Sequence, residues 1–131
     1  MKILVVGAGA VGGYMGGRLA KAGASVTFVA RGAHLEALRK QGLKVNGVEE
    51  TFSIPAAAVS EPSPGEVYEL IFYCVKAYDL PGALRQTRDA LAGNGVAVSL
   101  LNGVESDGFL VEYFGAERVI GGITFIGSQV D

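Results

Sequence analysis

Apolar residues gather in short runs: Lys2-Ile-Leu-Val-Val6, Ser25-Val-Thr-Phe-Val-Ala30, Leu70-Ile-Phe-Tyr-Cys-Val75 and Gly95-Val-Ala-Val-Ser-Leu-Leu101. Each has strand length and little polar alternation, as expected of strands buried on both faces of a sheet. Stretches with helical patterning separate them. The pattern predicts strands near 2–6, 25–30, 70–75, 95–100 and 118–121, and helices near 10–22, 33–41, 78–91 and 106–114. Alternation of that kind reads as an α/β fold: a Rossmann-type, doubly wound, mainly parallel sheet with helices on both faces. One interval breaks the rhythm. Leu43-Lys-Val-Asn-Gly47-Val and Glu50-Thr-Phe-Ser-Ile54 alternate apolar with polar around Asn46-Gly47, which predicts a small antiparallel hairpin inside a crossover. Pro55 to Gly65, with three prolines, reads as a loop leading back to the sheet.

Composition narrows the setting. The 131 residues, 50% of them hydrophobic, suffice for one sizeable core and predict a single domain over 1–131. A net charge of −2 from 11 basic and 13 acidic residues gives no bias towards nucleic acid. No apolar run approaches the ~18 residues of a membrane span, and the first strand begins at once, so the expected location is cytoplasmic. The single Cys74 lies within an apolar run and is expected to act as a small buried hydrophobe.

The first apolar run breaks into Gly7-Ala8-Gly9-Ala10-Val11-Gly12 and then into a proline-free helical stretch. In this setting the first glycine allows a sharp turn off the strand, the second lets backbone approach a pyrophosphate, and the third lets helix and strand pack closely. The diphosphate then rests on unsatisfied N–H groups at the positive end of the helix. The second apolar run completes a strand, helix, strand unit of about 30 residues, the context in which the glycine spacing gains weight.

The end of the second strand bears on which dinucleotide is bound. NAD sites usually place Asp or Glu there to accept from the ribose 2′-OH. This strand ends Val29-Ala30-Arg31-Gly32, and no carboxylate occurs between Lys2 and Glu36. Arg31 can fork two N–H groups onto a 2′-phosphate, with no nearby acid expected to repel it, so NADP(H) is favoured over NAD(H). His34 is expected at the surface, within reach of adenine or phosphate and without a catalytic role. Lys76 follows the third parallel strand and Asn102 the fourth, both at the carboxyl edge where open sheets hold ligands. Lys76 can reach cofactor or substrate. Asn102 offers a donor and an acceptor to a carboxamide or a keto group, or serves as an ordinary loop Asn before Gly103. A lone histidine, no Cys-x-x-Cys and no clustered carboxylates leave a metal without ligands.

These residues together resemble the ketopantoate reductases (2-dehydropantoate 2-reductases). The correspondence runs along the whole chain: the opening Lys2 to Gly12, Arg31-Gly-Ala-His-Leu-Glu-Ala-Leu38, Gly42-Leu43, Val75-Lys-Ala77, Leu101-Asn-Gly-Val-Glu105 and Val119-Ile-Gly-Gly-Ile-Thr-Phe125. The resemblance implies NADPH-dependent reduction of ketopantoate to pantoate, on the route to pantothenate and coenzyme A. It implies residues 7–12 at the diphosphate, Arg31 at the 2′-phosphate, Lys76 and Asn102 at the nicotinamide half, Asn102 also beside the substrate, and backbone around Gly127 completing the pocket. It also implies that no catalytic residue lies in this chain. The family's general-acid lysine and further substrate-binding residues belong to a helical C-terminal domain, which places them beyond Asp131. The 131 residues are therefore expected to be an NADP-binding domain, inactive alone. Phe125 stands where some relatives carry a polar residue, which leaves other 2-keto acids open. A stand-alone nucleotide-sensing module and a dehydrogenase of the hydroxyacyl or 6-phosphogluconate type are the other readings. The partner expected is a small-molecule keto acid, with neither nucleic acid nor membrane, and a homo-oligomer is left open.

Overall fold

The computed structural model describes residues 1–46, 51–100 and 104–121. The chain runs β1 (Lys2–Val6), α1 (Ala10–Lys21), β2 (Ser25–Val29), α2 (Gly32–Gln41), β3 (Leu43–Asn46), β4 (Thr51–Ile54), β5 (Ala57–Val59) and β6 (Tyr68–Tyr73). It continues through α3 (Leu80–Thr87), β7 (Leu91–Ser99), α4 (Val104–Phe114) and β8 (Val119–Gly121). Six strands form a sheet in the order β5-β2-β1-β6-β7-β8, all parallel. The chain steps outward from β1 in one direction and from β6 in the other. The strand order therefore reverses between β1 and β6, where a crevice must open at the carboxyl ends.

Because the two halves step in opposite directions, crossovers of one hand put their helices on opposite faces. Ile3 and Val5 of β1 point into a cluster with Phe28 and with Leu35 and Leu38 of α2. Leu4 and Val6 point the other way, into a cluster with Leu80 and Leu84 of α3 and Leu110 of α4. With both faces covered, β1 has no wet side, and this is why it reads as an unbroken apolar run.

The predicted hairpin is present as β3 paired antiparallel with β4, Val45 opposite Phe52, its turn lying outside the described residues. It seats on α1, where a side chain at Gly17 would come within 2.6 Å of the Val45 Cγ2. On another side of the same helix, a side chain at Gly16 would come within 2.5 Å of the Phe28 ring.

Three elements depart from the sequence reading by more than two residues, the simplest being the strand expected over 95–100, which runs over 91–99 as β7. The segment expected as loop contains β5, an edge strand parallel to β2, tied by Ala30 N–H to the Val59 carbonyl at 3.0 Å and by Arg39 Nε to the Ala58 carbonyl at 3.1 Å. Three small residues close to prolines carry no local strand signal; the strand exists because β2 offers it an edge. The helix expected over 78–91 is shorter, 80–87, flanked by 3-10 turns at Ala77–Asp79 and Arg88–Ala90. Among the described residues no helix is long and apolar enough to cross a membrane.

Candidate functional site

At the carboxyl edge, β1 ends and the chain turns through Gly7 at φ +97, a backbone state open to glycine and strained for other residues. The turn is pinned on both sides. Gly7 N–H donates to the Val29 carbonyl at 3.1 Å, and Cys74 N–H donates to the Val6 carbonyl at 2.8 Å. A side chain on Gly7 would press on Cys74 backbone and on Val75, and one on Gly12 would overlap the Gly7 carbonyl oxygen. Gly9 differs from both: a Cβ there meets no atom within 4 Å, because the position faces open space.

Gly9 is also the N-cap of α1, with extended backbone and no side-chain cap, and its carbonyl takes the first helical hydrogen bond from Gly13 N–H at 2.7 Å. The first-turn amides of a helix have no intrahelical acceptor, and here no acidic residue occupies that turn. The backbone at Ala10, Val11 and Gly12 thus forms an uncapped positive helix end beside Gly9, the arrangement that takes an anion. Ala8 is buried against the α1/α2 side of the core.

Gly7, Ala8 and Gly9 form one wall of an open cleft of about 950 Å³. At its other end stands Arg31, N-cap of α2, its side chain 78% exposed. His34, also exposed, lines the cleft beside it. The expectation that no acid stands near Arg31 is corrected by the structure. Arg31 Nη2 lies 3.9 Å from Asp79 Oδ1, and Glu61 lines the same cleft. Both acids arrive from elements far along the chain, Asp79 from the 3-10 turn after β6 and Glu61 from the connection between β5 and β6. Tyr78 and Arg85 also line the cleft.

Lys76 lies at the carboxyl end of β6 as expected, and its carbonyl accepts from Asp79 N–H at 2.8 Å to close the short turn. Its side chain is exposed and is not among the cleft-lining residues, which include its neighbours Val75, Tyr78 and Asp79. Asn102 and Gly127 lie outside the described residues, as does Asp131, beyond which the resemblance puts the general acid. Asp79 and Tyr78 went unread in the sequence although the same rule that selects Lys76, position just past a parallel strand, also covers them.

At the end of β6 Tyr73 is fully buried, whereas Cys74, expected to be a buried hydrophobe, is only partly buried. Burial pushes the Cys74 thiol up to about 12, so it stays protonated and unreactive at neutral pH. Burial likewise pushes the Tyr73 phenol up. Thr87 Oγ1 donates to the Ala83 carbonyl at 2.8 Å, so the 2.5 Å contact between the hydroxyls has Tyr73 as donor. Among the described residues no group of His, Cys, Asp and Glu could hold a metal ion.

The family model described as "Ketopantoate reductase PanE/ApbA" matches residues 3–131. A 2-dehydropantoate 2-reductase of Pyrococcus abyssi is 35% identical over 131 residues, which is 100% of this chain and 42% of the relative. The crystal structure of a PanE/ApbA family ketopantoate reductase from Ralstonia eutropha JMP134 superposes with a TM-score of 0.85 at 35% identity, over 94% of this chain and 41% of that one. A D-mandelate dehydrogenase, solved as a ternary structure with NADH and anilino(oxo)acetate, gives a TM-score of 0.85 at 26% identity, over 93% of this chain and 40% of that one. The chain therefore spans less than half the length of these relatives.

Proposed function

Because the chain belongs to the ketopantoate reductase PanE/ApbA family, we propose that it is the NADPH-binding domain of an oxidoreductase that reduces 2-dehydropantoate to pantoate. The observation that carries the dinucleotide part is the contrast among the three glycines: Gly7 and Gly12 are closed in by protein, whereas Gly9 faces open space at an uncapped helix end. Backbone packed this closely elsewhere and left bare at one position suits a diphosphate lying against it. Gly7 to Gly12 hold the diphosphate through amides, and Arg31 engages the 2′-phosphate from the rim of the cleft. The family resemblance assigns Lys76, Asn102 and backbone near Gly127 to the nicotinamide half, and Asn102 to the keto acid as well.

When bound, the reduced nicotinamide supplies the hydride. This chain's own residues bind and orient. Positioning is worth roughly 7–11 kcal/mol of a barrier when reacting atoms are held in line. The relatives are more than twice as long, and the family resemblance assigns the rest of the substrate clamp and a proton donor to the part this chain does not match. The 131 residues alone are accordingly expected to bind cofactor without appreciable turnover. An NADH-using reductase of another 2-keto acid is the second reading, favoured by Asp79 beside Arg31 and by the likeness to D-mandelate dehydrogenase.

Titration calorimetry of the chain with NADPH and NADH separates the two. NADPH is expected to bind more tightly. Equal affinities, or tighter NADH, would overturn the NADPH reading in favour of the second.

A further inference from the structure

Asp79 brings a carboxylate to the end of the cleft where the β2 terminus lacks one. Its Oδ1 lies 3.9 Å from Arg31 Nη2, and at 35% exposure it is the more enclosed partner of a pair whose arginine is 78% exposed. Asp79 occupies the N-cap of α3, yet its side chain makes no capping hydrogen bond to that helix. The carboxylate is thus turned to a charge across the cleft rather than to its own helix end.

Resting on the NADPH reading above, we propose that Asp79 is a specificity-determining residue that competes with the cofactor 2′-phosphate for the Arg31 guanidinium. A dianionic phosphate on Arg31 displaces this carboxylate or shares the arginine with it, and two anions at such range repel. NADH carries no 2′-phosphate, so it meets no such repulsion, and its ribose hydroxyl can donate to Asp79. Arg31 pulls selectivity towards NADPH and Asp79 tempers the pull. Glu61, His34 and Arg85 also line the cleft, but among the described residues Asp79 is the acid within ion-pair distance of Arg31.

The test compares Asp79→Asn and Asp79→Ser with the unmodified chain, titrating NADPH and NADH at low and high salt. Asn and Ser are both good N-caps, so the start of α3 is preserved, and a melting curve for each variant verifies it. Removing the charge is expected to tighten NADPH about two- to fivefold at low salt, the size fitting a partly exposed pair. NADH should be unchanged or weaker. High salt should shrink the gain, and an Arg31→Ala background should leave only the smaller part due to direct repulsion between the two anions. A gain equal for both cofactors, no gain, or a gain undiminished without Arg31 would overturn the role of Asp79. Failure of the underlying reading looks different. There the unmodified chain binds neither cofactor, or Arg31→Ala leaves the NADPH to NADH ratio untouched.

Discussion

The two ends of the cleft are built from different materials. The glycine end is backbone: a turn at Gly7, an uncapped helix start at Gly9, and packing at Gly12 too close for any side chain. It comes from one contiguous stretch and contains no charge. The arginine end is side chain: Arg31 from the start of α2, Asp79 from beyond β6 and Glu61 from the loop before β6, all meeting only in three dimensions. The backbone end can recognise what every dinucleotide shares, and the side-chain end can tell one from another. Affinity and selectivity should therefore separate by mutation.

The widest separation is expected at Gly9. Gly9→Val places a branched side chain in the space left for a diphosphate, and binding of both NADPH and NADH should be lost. The backbone there, φ −74 and ψ −158, is extended, and no atom lies within 4 Å of the added Cβ, so circular dichroism should match the parent while the melting temperature falls slightly, Val being a poorer N-cap than Gly. Undiminished binding in the folded variant would make the glycine turn purely structural. Arg31→Ala is the complementary break. A charge-assisted contact contributes about 1.5–3 kcal/mol, so NADPH should weaken about 10- to 150-fold while NADH hardly changes. Competition from Asp79 argues for the lower part of that range.

Two smaller changes probe the floor that both ends share and should not discriminate between cofactors. Thr87→Val leaves the buried Tyr73 hydroxyl without its acceptor and should destabilise the fold by about 1–3 kcal/mol in denaturant titration. The NADPH to NADH ratio should stay at its parental value, and a shift would show that the floor is coupled to one end. The last effect is alkaline. The Cys74 thiol is raised in the fold from 9.0 to about 12, so the unfolded chain releases this proton first. Its contribution to stability is complete below pH 9 and is lost as pH climbs towards 12. Tyr73 acts in the same direction from its ordinary 10.0 upward. Cys74→Ala should flatten the decline of stability with pH just above 9 relative to the parent.

The same division explains what the sequence discloses. Central strands buried on two faces write themselves as continuous apolar runs, and a turn whose parts are adjacent in the chain writes itself as Gly-x-Gly-x-x-Gly. Both are legible because each is a local property. β5 is not legible, since Ala57, Ala58 and Val59 gain strand character only from the edge of β2. Nor is the company of Arg31: the sequence shows no carboxylate between Lys2 and Glu36, while the fold brings Asp79 to 3.9 Å. Lys76 shows the limit of the strand-end rule, which fixes a residue to an edge of the sheet without fixing whether its side chain turns into the cleft. Asn102, Gly127 and Asp131 fall outside the described residues.

The seating of α1 has a consequence for how fast a ligand is captured. Gly16 lies against Phe28 of the main sheet and Gly17 against Val45 of the hairpin, so this helix is gripped on two sides with no side chain as a cushion. Such a helix has little room to rock, and the amides at its start are aimed before any ligand arrives. The entropy of orienting them is surrendered during folding, which leaves no ordering penalty for association. Capture at the glycine end should then be a single diffusional event, whereas release of Arg31 from Asp79 adds a slower rearrangement only when a phosphate waits at the other end.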